Sequence, residues 1–91
     1  VQQQMMRRFA QENLTTYSPP MVGVNDHPAD PHFEVTLGDA RTFKPGDAVL
    51  IDLWATEPGG IYADQTWMAS VGEPSKRLTT VWTAVRDARD R

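Results

Sequence analysis

The sequence predicts a small α+β unit running helix, short strand, loop, antiparallel hairpin, helix. Three observations predict it. Residues 1–13 and 75–91 space their apolar side chains at helical intervals. Residues 48–55 and 61–71 are runs of apolar, branched and aromatic residues, separated by a Pro-Gly-Gly loop. The chain has 91 residues, 40% of them hydrophobic, which suits a single unit spanning 1–91. At this size only about 60–65% of the unfolded chain's surface can be buried, so the core is thin.

Each element has its own signal. In the first helix Val1, Met5 and Phe9 recur at i, i+4 and i+8, with Met6 and Ala10 beside them as a packing face, and Asn13 is a helix stop. Pro19 and Pro20 forbid helix and lead into a short strand around Met21–Val24. Residues 25–32 form a polar loop, Phe33 to Thr36 a short extended piece, and Leu37 to Gly46 a loop ending in the Lys44-Pro45-Gly46-Asp47 turn. Ala48–Ala55 is apolar on both faces and therefore a central strand. Residues 56–60 close a hairpin to the strand 61–71. Ser75 is the N-cap of a second helix whose core stripe is Leu78, Val81, Trp82, Val85 and Ala88. Both helices are expected on one face of the sheet.

Composition excludes several classes. Net charge is −3, against a nucleic-acid partner, which a basic face would recognise. No apolar run approaches the roughly 18 residues that span a bilayer, so no membrane partner is expected. There is no cysteine, hence no disulfide and no thiolate metal site. The chain opens on Val1, with neither an initiator Met nor a signal peptide. It is expected to belong to something longer, and to the cytoplasm.

Asp52 carries the chemical information. It lies among Val49, Leu50, Ile51, Leu53 and Trp54, and residues 48–72 contain no Lys or Arg. An ionised carboxylate there is costly without a positive partner. A hairpin symmetric about Pro58 sets Asp52 opposite Asp64, with Cβ atoms roughly 5 Å apart on one face. A one-residue slip would separate them onto opposite faces. Two such carboxylates call for a proton or for one or two divalent cations, and oxygen ligands suit Mn, Mg, Co or Zn. The alternative is a different register, with one carboxylate exposed or bonded to a backbone amide. Elsewhere His27 reads as a solvated loop histidine and Glu34 and Asp47 as surface residues. Trp54 and Trp67 read as packing residues, and Tyr62 as a pocket residue on the aspartate face.

Residues 45–72, PGDAVLIDLWATEPGGIYADQTWMASVG, resemble the central hairpin of the pita-bread metallopeptidases: methionine aminopeptidase, aminopeptidase P, prolidase and creatinase. The shared pattern is Gly46-Asp47, an apolar strand bearing Asp52, Tyr62-Ala63-Asp64-Gln65-Thr66, and Val71-Gly72. Asp30-Pro31-His32-Phe33 resembles the Pro-His element upstream of that hairpin, and Leu53-Trp54-Ala55 and Thr66-Trp67 look most like an Xaa-Pro dipeptidase branch.

The resemblance implies half of a pita-bread fold and a centre of two divalent metal ions (Mn, Co or Zn) acting on a peptide substrate. Asp52 would chelate one metal, Asp64 would bridge both, His32 would act at the scissile amide, and Thr66 would bond a ligand carboxylate. A metal-bound hydroxide is the nucleophile it implies. The spacing between the aspartates is one residue longer than usual, and Trp67 stands where many members have Arg. One His and two Glu that the pattern takes from a second half have no counterpart after Gly72. The isolated chain is thus expected to lack appreciable activity and to self-associate through an uncovered sheet. The rival reading is a non-catalytic module of the same fold that binds peptides or proteins.

Overall fold

The computed structural model describes residues 1–91 except Val35, Leu37 and Asp39. The order is α1 (Gln2–Gln11), β1 (Met21–Val24), a 3-10 turn (His27–Ala29), β2 (Ala48–Ala55), β3 (Ala63–Ser70) and α2 (Lys76–Arg89). The three strands form one antiparallel sheet in the order β1-β2-β3, an α+β arrangement consistent with half a pita-bread fold. Placing β2 at the centre agrees with its two apolar faces.

Helix α1 is shorter than the pattern 1–13 suggests. It ends at Gln11, and Asn13 turns the chain away with φ 57°, a left-handed conformation that Asn tolerates. Its packing face is narrower as well. Phe9 is buried and Met5 and Met6 are half-buried, whereas Val1 and Ala10 are exposed. The helix is tied to the sheet by Gln2, whose Nε2 donates to the Pro20 carbonyl at 2.8 Å. Val1 and Gln2 share a cavity of about 400 Å³ with Val22 and Val24. The core is Phe9, Val22, Val24, Val49 and Ala55, with Pro20 fully buried beside it.

The turn before β2 forms as expected. Pro45 supplies the fixed φ and Gly46 the positive one (93°), closed by Asp47 N–H donating to the Lys44 carbonyl at 3.0 Å. Asp47 is more than a surface residue. Its carboxylate accepts from Asn25 Nδ2 at 2.9 Å and from the Lys44 backbone N–H at 2.8 Å, while Asn25 Oδ1 accepts from Ala48 N–H at 2.9 Å. These bonds stitch the end of β1 to the start of β2. The Asn25 amide, and after it the Lys44 backbone, hold the Asp47 carboxyl below the ordinary range. A depressed carboxylate contributes stability above its unfolded pKa, and that stability is lost as pH falls through the folded value. Asp47→Asn should therefore lower the Tm at pH 7 slightly and flatten its decline below about pH 4, in melts followed by circular dichroism. Asp26, depressed by the Arg41 guanidinium 2.6 Å away, keeps part of the acid sensitivity.

Strand β3 is two residues shorter at its start than the pattern 61–71, and seven of its eight residues are exposed, whereas the other edge strand, β1, is largely buried. Helix α2 begins where Ser75 caps it, its Oγ accepting from Leu78 N–H at 3.1 Å. The core stripe expected on α2 is not buried. Val81, Trp82 and Val85 are 55%, 46% and 65% exposed, and only Leu78 is half-covered. The helix flanks β3 without closing on it, leaving an open groove of about 550 Å³ between Trp67 or Met68 and Trp82 or Val85. Arg86 lies over the Trp82 ring at 5.0 Å. Of the extended piece at 33–36, Val35 lies outside the described residues, and Phe33, Glu34 and Thr36 belong to no strand. Leu37 and Asp39 of the following loop also lie outside them.

Candidate metal centre

The hairpin register decides which side chains meet. Asp52 pairs with Thr66, Trp54 with Asp64, and Leu50 with Met68. The expected pairing of Asp52 with Asp64 is therefore displaced by two residues. The cause is the connection. Residues 56–62 all stay out of the strands, with Gly59 at φ 76° and Gly60 N–H bonded to the Glu57 carbonyl at 2.9 Å. The centre of symmetry falls on Gly59 rather than Pro58. A shift of two preserves the face, because side chains alternate with period two. Asp52, Asp64, Thr66 and Tyr62 thus share one side of the sheet, and the aspartates are diagonal neighbours, with backbones roughly 7–8 Å apart.

Thr66 fills the place directly opposite Asp52. Its hydroxyl donates to Asp52 Oδ1 at 2.7 Å. This bond explains how Asp52 can lie half-buried in an apolar strand without a neighbouring cation. Asp64 is exposed. No described carboxylate is buried, so the cost expected for Asp52 is smaller than its neighbours in sequence suggest.

His32 comes to the same site by a loop. Asp30 Oδ1 accepts its backbone N–H at 2.9 Å, and the residue lines an open cleft of about 370 Å³ together with Asp52 and Trp54. Pro19, Pro20, Pro31 and Phe33 complete much of the wall. The structure therefore brings His32, Asp52 and Thr66 together, with Asp64 diagonal to Asp52. Tyr62 stands on the same face but beyond that cleft, against Tyr17 at 5.5 Å. His27, expected in solvent, is half-buried and stacks on Phe33 at 4.1 Å.

Sequence reasoning missed Tyr17. Thr15 and Thr56 form an isolated antiparallel bridge, which extends the pairing beyond β1. Carried two residues along, it places Tyr17 opposite Trp54, and their rings stack at 5.8 Å. The alternation of Thr15 and Tyr17 was the available signal.

Do these residues fit a metal? Two carboxylates on one face, one of them oriented by a hydroxyl, supply the oxygen donors a hard or borderline cation takes. Among the described residues no third His, Cys, Asp or Glu joins them to make a metal-holding group. The donors fit part of a coordination shell.

The hairpin sets Asp52 and Asp64 on one face, and the loop bearing His32 lines the cleft that holds Asp52. The family model for metallopeptidase family M24 matches residues 1–91, and the chain belongs to that family. Its members generally depend on a dinuclear metal centre and act on peptides. A sequence search matched no curated protein. Among the described residues no helix is long and apolar enough to cross a membrane.

Proposed function

We propose that this chain carries one wall of a dinuclear metallopeptidase centre that cleaves Xaa-Pro peptide bonds. The supporting observation is the placement of Asp52 and Asp64 on one hairpin face, with Thr66 bonded to Asp52, in a chain of this family. Asp52 and Asp64 are the metal carboxylates, Thr66 orients Asp52, and His32 holds or moves a proton at the scissile amide. Two divalent cations (Mn, Co or Zn), when bound, supply an activated water. The remaining ligands lie outside this chain, so the 91 residues alone turn over no Xaa-Pro dipeptide. The open β3 edge and the uncovered α2 stripe support self-association of the isolated chain.

The test is a thermal melt with and without excess Mn²⁺, on the wild type and on Asp64→Asn. A cation that binds only the folded chain at 100 times its Kd adds about 2.7 kcal/mol, a rise of about 10–20 °C for a domain this small. That rise should vanish in Asp64→Asn. No rise in either protein would favour the non-catalytic reading, which the Thr66–Asp52 bond allows because it satisfies that carboxylate without a cation.

A further inference from the structure

The strongest unassigned feature is the row of rings beside the carboxylates. Tyr17, Trp54 and Tyr62 pack in sequence, at 5.8 Å and then 5.5 Å between centroids. They share the sheet face of Asp52 and Asp64. Trp54 is the hinge of the arrangement. It follows Asp52 by two positions on the same strand, pairs directly with Asp64, and lines the cleft that holds His32 and Asp52. Its ring is set by stacking rather than by a hydrogen bond, since among the described residues its buried Nε1–H has no acceptor. Tyr17 remains 77% exposed and Tyr62 43% exposed, and Ile61 at the hairpin tip is 96% exposed. Such a run of uncovered apolar surface, continuous with a polar cleft, is the usual make-up of a ligand site.

We propose that Trp54, flanked by Tyr17 and Tyr62, is a specificity-determining wall that receives an apolar side chain of a peptide lying across the Asp52–Asp64 face. The proposal rests on reading that face as the peptide-cleaving one. Asp52 shares the cleft with Trp54, Asp64 is the cross-strand partner of Trp54, and Tyr17 stacks on the Trp54 ring. A peptide backbone held over Asp52 therefore directs one flanking side chain onto the indole. Aromatic faces favour apolar or ring-bearing side chains there and offer nothing to an anionic one.

A nuclear magnetic resonance titration of the ¹⁵N-labelled 91-residue chain with Ala-Leu-Ala and with Ala-Ser-Ala tests this. Saturable shifts are expected at the Trp54 indole N–H and at the Tyr17 and Tyr62 amides, with Ala-Leu-Ala binding about tenfold tighter. Trp54→Phe should keep the preference and Trp54→Ala should lose it. Equal affinities, or no saturable shift at the three aromatic residues, would overturn the proposal. Shifts around Asp52 and His32 without a Leu preference would overturn the wall and leave the peptidase reading standing. A Leu preference at the wall in a chain that Mn²⁺ does not stabilise would sustain the wall and count against the metal centre.

Discussion

Phe9→Ala is expected to unfold much of this chain at room temperature. Phe9 is the only residue of α1 that is fully in the core, and α2 contributes none. Truncating a buried Phe costs about 3–5 kcal/mol through lost transfer energy and the cavity left behind. A domain of this size has little more than that in reserve. The Leu14 N–H donates to the Phe9 backbone carbonyl at 2.8 Å, so the chain leading to Tyr17 is tied to the helix end that the Phe9 ring anchors. Urea melts should show a midpoint near zero denaturant for Phe9→Ala. Met5→Ala, at a half-buried position on the same helix, should cost clearly less. Equal costs would mean that α1 is not held by Phe9.

Gly23→Ala is expected to move the histidine loop. A Cβ built at Gly23 would lie 2.7 Å from Pro28 Cγ and 2.8 Å from Cδ, closer than such atoms approach, and a proline ring has little freedom to yield. Pro28 of the 3-10 turn His27–Ala29 lies against Gly23 of β1. One added methyl should cost about 1–3 kcal/mol as overpacking, or lift the turn off the strand. Because His32 follows that turn by a few residues, lifting it withdraws His32 from the cleft shared with Asp52. The melt measures the first effect. The His32 ring resonances measure the second, and unchanged His32 shifts would refute the coupling.

How far the sequence carried the fold differs by element. β2 was legible because apolar residues on both faces have one meaning in a small sheet. Ser75 and Asn13 were legible because capping and left-handed turns are local chemistry. The stripe on α2 was read correctly as helical and wrongly as buried. Periodicity reports a face, and only the tertiary partner decides whether that face is covered. In the site, the shared face of Asp52 and Asp64 was legible from period two, while the register was not. Both Pro58 and Gly59 are turn residues, and the conformation of the 56–62 connection, not its composition, chose between them. Tyr17 escaped notice because its partner, Trp54, is distant in sequence.

The unequal connections on the two sides of β2 also set an order of events. Residues 56–62 separate β2 from β3, whereas residues 25–47, about three times as many, separate it from β1. Closing the longer loop costs about 1 kcal/mol more in chain entropy. The β2–β3 hairpin is therefore expected to zip first, presenting Asp52, Thr66 and Asp64 on a two-stranded ribbon. β1 adds later, carrying with it the polar loop that holds His32. The carboxylate half of the site is thus assembled by local chain closure, and the histidine half arrives only with the last strand.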